Sequence, residues 1–126
     1  MTVLDASALL AYLLDEPGAD RVQQALAADA LLGAVNLAEV LSKLADAGED
    51  PEAAMDSIGA LPFELVPFDE DLALESALIR PASSSAGLSL GDRACLALGR
   101  RLGRPVLTAD GAWSGLVPGL EVTMIR

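Results

Sequence analysis

Four carboxylates, Asp5, Glu39, Asp92 and Asp110, lie where an apolar run gives way to the start of a predicted helix. In a sheet of parallel strands linked by helices, every strand ends on the same edge, and ligands bind in the crevice outside those ends. We therefore expect the four side chains to converge at one edge of a sheet. Clustered carboxylates repel one another, and a divalent cation relieves that repulsion.

The residue types in the chain narrow the chemistry that such a cluster supports. The sequence has no histidine and one cysteine, Cys95, which excludes a Ser-His-Asp triad, a Cys/His zinc cluster and an intrachain disulfide. The remaining ligands are oxygen atoms, which favour Mg²⁺ or Mn²⁺. A carboxylate cluster with such an ion indicates phosphoryl chemistry, in which a metal-activated water is the nucleophile.

Helix capping is the alternative interpretation of each acid. Asp5 precedes a predicted helix, as N-cap residues do, and Asp110 is a second candidate N-cap. The pattern Asn36-x-x-Glu39 resembles a capping box, and residues 89–92 match one outright. Taken singly, each acid fits a helix cap better than a metal ligand, so the metal site is predicted from the four acids together.

Other polar or aromatic residues are candidates for supporting roles. Ser7 and Thr108 each lie two residues from a candidate ligand and are expected to hydrogen-bond a carboxylate or a metal-bound water, with local capping as the alternative. Asn36 either caps its helix or holds a neighbouring acid. Arg93 either contacts a substrate phosphate or pairs with one of the acids. Trp113 either stacks on a base or, as we favour, packs in the core.

The elements that must position these residues alternate between strands and helices. Short apolar runs without strict alternation predict buried parallel strands at TVLD, ALLGAV, FELVPF, RPVLTAD and GLEVTMI. Helices are predicted from about Ala6 to Leu14 and over GADRVQQALAA, NLAEVLSKLADAG, PEAAMDSIGA, DEDLALESALIR and GDRACLALGRRLG. The alternation predicts an α/β fold with a single domain over residues 1–126. The longest predicted flexible segment, from Pro81 to Ser89, borders the site.

The charge balance restricts how such a protein holds a nucleic acid. Eight Lys and Arg residues face 19 Asp and Glu residues, for a net charge of −11. Long-range attraction to RNA or DNA is therefore weak or repulsive. If the substrate is a polynucleotide, local Arg residues, metal ions or a partner must offset this. No apolar stretch approaches the ~20 residues that span a bilayer, and the N-terminus lacks a basic signal-peptide region. We expect a cytoplasmic protein that does not enter a membrane.

Three segments closely resemble the successive motifs of the PIN domain family, and of VapC-type toxins from bacterial type II toxin–antitoxin pairs in particular: VLDASALLAYLLDEPG, NLAEVLSKL and LSLGDRACLALGRRLGRPVLTADGAW. The resemblance implies a three-layer α/β/α sandwich with a mainly parallel central sheet. It also implies a Mg²⁺- or Mn²⁺-dependent endoribonuclease that forms a homodimer and is inhibited by a cognate antitoxin covering the active site.

The resemblance gives each candidate residue a place in the motifs. The family's four acidic positions and the two hydroxyl positions that accompany the first and last acids correspond here to Asp5, Glu39, Asp92, Asp110, Ser7 and Thr108. Many relatives carry another acid shortly after the fourth, where this chain has Ala112 and Trp113.

Two other functions are open on the sequence alone. Because that further acid is missing, a non-catalytic PIN-like binding module is one alternative function. A receiver-type phosphoacceptor domain has a similar size and acidic clustering, but it needs a lysine from a late strand. The only lysine, Lys43, belongs to a mid-chain helix, which disfavours that interpretation.

Overall fold

Five short strands form one parallel sheet in the computed structural model, which describes residues 1–83, 87–110, 113 and 115–126. The strands are β1 (Thr2–Leu4), β2 (Ala30–Gly33), β3 (Phe63–Val66), β4 (Val106–Thr108) and β5 (Val122–Met124). Their order across the sheet is β3-β2-β1-β4-β5, and each neighbouring pair is parallel. The predicted mainly parallel sheet is therefore confirmed.

Six helices connect the strands in the described part of the chain. They are α1 (Ala6–Leu13), α2 (Ala19–Ala28), α3 (Ala34–Asp46), α4 (Pro51–Gly59), α5 (Glu70–Ser83) and α6 (Leu90–Leu102). None of these helices is long and apolar enough to cross a lipid bilayer.

Helices cover both faces of the sheet. Successive residues of each buried strand point to opposite faces, so neighbouring residues pack against different helices. Leu4 of β1 belongs to a core cluster with residues of α1 to α4. Its neighbour Val3 belongs to a second cluster with residues of α5 and α6. Trp113 is buried in that second cluster, so its predicted packing role is confirmed. The arrangement is the predicted three-layer α/β/α sandwich.

The boundary between β2 and α3 differs from the sequence prediction. The apolar run ALLGAV was expected to be one strand, but β2 ends at Gly33 and α3 begins at Ala34. Gly33 is therefore the N-cap of α3, and of the two roles considered for Asn36, capping is wrong. Glu39 consequently lies in the second turn of α3 rather than the first.

The segment before α6 also differs from the expected loop. The helix α5 continues to Ser83, although a loop was predicted from Pro81 onward. Residues 84–86 of that predicted loop lie outside the described part of the chain. After it, α6 begins at Leu90 with Ser89 as its N-cap.

The strand order creates a crevice at the carboxyl ends of β1 and β4. In the sheet, β2 lies next to β1 on one side and β4 lies next to β1 on the other, so the chain first moves outward from β1 in one direction and later returns to the opposite side of β1. In open α/β sheets, ligands bind where the direction of the connections reverses in this way. Asp5 follows β1 directly, and Asp110 follows β4 after one residue.

Candidate metal centre

All four predicted acids line one cleft at the carboxyl ends of β1 and β4. The cleft has a volume of about 580 Å³. Its lining consists of Asp5, Ala6, Ser7, Leu10, Leu14, Glu16, Glu39, Lys43, Ser89, Asp92, Asp110 and Arg126. The structure therefore brings together acids that are separated by up to 105 residues in the sequence.

Asp5 is the most buried of the acids, with 3% of its surface exposed. Its Oδ1 accepts a hydrogen bond of 2.7 Å from the Ala8 backbone N–H, so Asp5 caps α1 as its sequence position indicates. The Ser7 hydroxyl lies 2.8 Å from both carboxylate oxygens, and the Thr108 hydroxyl donates to Oδ2 at 2.6 Å. Capping and a place in the cleft are therefore compatible for this residue.

The two hydroxyl groups also fix the end of β4 against the end of β1. The Ser7 Oγ accepts a hydrogen bond of 3.0 Å from the Ala109 backbone N–H. The Thr108 Oγ1 accepts one of 2.9 Å from the Asp110 backbone N–H. Ser7 and Thr108 thus orient the Asp5 carboxylate and tie the segment carrying Asp110 to it. This is the contact expected of residues that support metal ligands.

The electrostatic environment of Asp5 is short of positive charge. Burial, with a smaller contribution from the nearby Asp92 carboxylate, raises the pKa of Asp5 from 3.8 to about 6. The hydrogen bonds from Thr108, Ala8 and Ser7 lower the pKa but do not outweigh burial. A carboxylate in such a place favours either a proton or a cation as its partner.

Glu39 is held by Asn36, which lies one turn before it on α3. The buried Asn36 amide donates from Nδ2 to Glu39 Oε1 at 2.8 Å and to the Gly91 carbonyl at 3.1 Å. Partial burial raises the pKa of Glu39, as does Asp92, whereas Asn36 and Lys43 lower it. Of the two roles considered for Asn36, the structure shows the one in which it holds a neighbouring acid.

Asp92 enters the cleft from the first turn of α6, where it completes the predicted capping box. Its Oδ2 accepts from the Ser89 backbone N–H at 3.0 Å, and the Ser89 hydroxyl accepts from the Asp92 N–H at 3.2 Å. The box fixes the Asp92 carboxylate against the helix end. Asp92 is therefore a cap that also lines the cleft, as Asp5 is.

The donor set fits a hard divalent cation that keeps part of its water shell. Within the residues that the structure describes, no three Asp, Glu, Cys or His side chains form a group able to hold a metal ion. Mg²⁺ does not need such a cage, because it usually binds one or two carboxylates and completes its shell with waters and phosphate oxygens. The buried, uncompensated carboxylate of Asp5 is the group that such an ion would stabilise most.

Two basic residues line the cleft that sequence reasoning did not place there. Lys43 is exposed on α3, one turn after Glu39. That spacing puts both side chains on one helix face and was the available signal. Arg126 donates to the Pro17 carbonyl at 2.9 Å and lies 4.0 Å from Glu16. No local signal in the sequence indicates its position, because pairing of β5 with β4 brings it there.

Arg93 lies away from this cleft. The side chain is buried, and its Nη1 donates to the Ser76 carbonyl of α5 at 3.2 Å. Contact between Arg93 and an RNA phosphate stays a prediction, which this placement does not favour.

Cys95 is also buried, as its apolar surroundings in the sequence indicate, and burial raises the pKa of its thiol. Ala112, where many relatives carry a further acid, lies outside the described residues.

Comparison with known proteins gives a family and a set of structural neighbours. The sequence profile of the PIN domain matches residues 2–116. No curated protein sequence matches the chain.

The structural neighbours are similar over nearly their whole length. A chain of a toxin-antitoxin complex from Klebsiella pneumoniae has a TM-score of 0.75 at 17% identity, with 100% of this chain and 98% of that chain covered. FitAcB from Neisseria gonorrhoeae gives 0.73 at 21% identity, with 97% and 96% covered. VapC20 from Mycobacterium tuberculosis, described as a toxin that cleaves the sarcin-ricin loop, gives 0.73 at 17% identity, with 93% and 97% covered. At these identities the likeness shows the fold.

Proposed function

This chain belongs to the PIN domain family, and on that premise we propose that it is a Mg²⁺- or Mn²⁺-dependent endoribonuclease, the toxin of a type II toxin–antitoxin pair. One observation carries the proposal. The buried Asp5 carboxylate lies at the crevice between β1 and β4 and lines the same cleft as Glu39, Asp92 and Asp110. A cluster of this kind is suited to a divalent cation and to phosphate chemistry.

The residues of the cleft have separable roles in this proposal. Asp5 and Asp92 are the first candidates to hold the ion, because hydrogen bonds fix both carboxylates. Glu39 and Asp110 complete the acidic lining and orient water. When bound, the ion would lower the pKa of a coordinated water and stabilise negative charge on a phosphoryl oxygen. Ser7 and Thr108 keep the Asp5 carboxylate oriented throughout.

RNA is the substrate class that we propose for the cleft. Lys43 and Arg126 place positive charge on its lining, where the net charge of −11 would otherwise repel a polynucleotide. Local contacts of this kind, together with the bound cation, would compensate for the weak or repulsive long-range interaction of so acidic a protein with RNA. The description of the Mycobacterium tuberculosis neighbour as cleaving the sarcin-ricin loop supports RNA as the class.

A cognate antitoxin is the proposed partner. Next to the cleft lies an apolar groove of about 350 Å³ between the end of α1, α3 and α4. Leu14, which is 54% exposed, lines both the groove and the cleft. An apolar segment seated in the groove would therefore reach the carboxylates. Several structural neighbours come from toxin-antitoxin complexes, which supports this partner.

We also propose that the protein is a homodimer. Leu74 and Leu78 lie one turn apart on α5 and are 61% and 56% exposed, and the exposed Ala73 and Ala77 lie beside them. Such an apolar stripe on a helix is unusual on a surface that faces only water. The expected result is a dimer in sedimentation equilibrium that Leu74→Glu converts to monomer. A wild-type monomer would contradict this part of the proposal.

The strand order and the position of Lys43 argue against one of the two competing functions. A receiver-type domain has the strand order 2-1-3-4-5, whereas the order here is β3-β2-β1-β4-β5. Lys43 also comes from α3 and not from a late strand. A non-catalytic binding module remains the second candidate, because no further acid stands at Ala112 or Trp113.

Cleavage mapping on an RNA pool tests the proposed function. Wild-type protein should cleave only with Mg²⁺ or Mn²⁺, and Asp5→Asn should not cleave although it remains folded. Absence of cleavage by the wild type, together with no binding of Mn²⁺ in calorimetry, would favour the binding module. An equal rate for wild type and Asp5→Asn would overturn the assignment of the cleft.

A further inference from the structure

Gly91, the residue before Asp92 in α6, is in direct contact with another of the four acids. A Cβ atom built on Gly91 would overlap the Cδ and both carboxylate oxygens of Glu39. The Glu39 carboxylate, which comes from α3, therefore rests against the Cα of the first turn of α6. Substituting any other residue at position 91 would place side-chain atoms where that carboxylate now lies.

The glycine is needed for space and not for backbone conformation. Gly91 has a helical conformation and is absent from the glycines with positive φ. Glycine destabilises a helix relative to alanine, so its presence within α6 calls for another reason. The close approach of Glu39 supplies that reason, since glycine commonly occurs where another group comes close to the backbone.

Asn36 supplies the hydrogen bonds between Glu39 and the Gly91 backbone. Its side chain is 1% exposed, and its Nδ2 donates both to Glu39 Oε1 at 2.8 Å and to the Gly91 carbonyl at 3.1 Å. One amide group thus joins the acid on α3 to the turn of α6 that carries Asp92. The contact with Gly91 and the bond from Asn36 together fix where the Glu39 carboxylate lies.

We propose that Gly91 is a positioning residue that, with Asn36, holds the Glu39 carboxylate beside Asp92 in the cleft. The inference rests on the proposed function, because this position matters for activity if Glu39 serves the metal site. The carboxylate is the end of a flexible side chain, so a methyl group at position 91 would turn Glu39 away without disrupting the fold. Glu39 would then lose its bond from Asn36 and its place beside Asp92.

Calorimetric titration with Mn²⁺ tests this role. Gly91→Ala should weaken Mn²⁺ binding by about 10- to 100-fold, the usual effect of removing support from a metal ligand. In a Glu39→Ala background the same change should cause no further loss. Gly59→Ala is the matched control, because Gly59 is a helical glycine of α4 whose added Cβ meets nothing within 4 Å. Wild-type affinity in Gly91→Ala, or an equal loss in both backgrounds, would overturn the proposal.

A second variant and a second measurement keep the test independent of activity. Asn36→Ala adds no atoms and should also weaken Mn²⁺ binding in the wild-type background but not with Glu39→Ala. Without metal, Gly91→Ala should raise the Tm in the Glu39→Ala background, and Gly59→Ala should do so in the wild type. In the wild-type background the lost Asn36–Glu39 bond should offset that gain.

The two measurements separate failure of this inference from failure of the proposed function. If the wild type binds no Mn²⁺, the metal site is refuted, yet the Tm comparison still reports whether Gly91 and Glu39 are coupled. An equal Tm shift for Gly91→Ala in the two backgrounds would show that they are not coupled and would refute the positioning role.

Discussion

Replacing Asp5 by Asn should stabilise the metal-free protein while abolishing its activity. The Asp5 carboxyl is almost fully buried, and burial raises its pKa from 3.8 to about 6. Folding therefore favours the protonated form of this group. The amide of Asn is neutral at every pH, and the hydroxyl groups of Ser7 and Thr108 are able to accept hydrogen bonds from it as well as donate.

The sign and size of the effect follow from linkage between folding and protonation. The contribution of protonated Asp5 to stability is fully present below pH 3.8 and is lost as the pH rises through about 6. A pKa difference of about 2, at about 1.4 kcal/mol for each unit, corresponds to about 3 kcal/mol. Asp5→Asn should thus raise the free energy of unfolding at pH 7 by up to about 3 kcal/mol, and by almost nothing at pH 3.8.

Urea unfolding in EDTA between pH 4 and pH 8 measures this difference. Asp56→Asn is the control, since Asp56 is exposed on α4 and a surface change of this kind usually stays within about 0.5 kcal/mol. Adding Mn²⁺ should stabilise the wild type by mass action and leave Asp5→Asn unaffected. A lower stability for Asp5→Asn at pH 7, or a gain that does not depend on pH, would refute the reasoning.

Three further outcomes follow from contacts in and around the cleft. Thr108→Val removes the 2.6 Å hydrogen bond to Asp5 and should weaken Mn²⁺ binding by about 10- to 100-fold in calorimetry; unchanged affinity would contradict the supporting role of the hydroxyl. Ser89→Ala removes half of the capping box of α6 and should lower the free energy of unfolding by about 1 kcal/mol in urea titration, whereas an unchanged midpoint would show that the box contributes nothing. Lys43→Ala should reduce the slope of log affinity for RNA against log salt concentration by about 0.7. Lys43→Arg should keep the slope, and an unchanged slope in Lys43→Ala would exclude a phosphate contact.

Much of the cleft was predictable because its signals are local. Asp5 directly follows a buried apolar run, and the carboxyl ends of parallel strands share one edge of the sheet. The capping box at Ser89 and Asp92 depends on four consecutive residues. On the sequence alone, capping and a place in the cleft are alternatives, but Asp5 and Asp92 do both, because a helix start at the sheet edge points its cap into the crevice.

The features that escaped prediction depend on contacts between distant segments. The apolar residues of ALLGAV suit a strand or a buried helix equally well. The sequence therefore does not determine where α3 begins or in which turn of α3 Glu39 lies. Gly91 gives no sign in the sequence that it contacts a side chain 52 positions earlier. The place of Arg126 at the cleft likewise depends on how β5 pairs with β4.

The metal dependence of RNA cleavage by Asp92→Asn tests the central claim most directly. The Asn side chain can still accept the Ser89 N–H bond that completes the capping box, so the fold of α6 should survive. We predict that the wild type cleaves RNA with Mg²⁺ or Mn²⁺ and stops in EDTA, and that Asp92→Asn is inactive at every metal concentration while circular dichroism shows it folded. Cleavage by Asp92→Asn at the wild-type rate, or wild-type cleavage that persists in EDTA, would contradict the claim that this carboxylate cluster holds the catalytic cation.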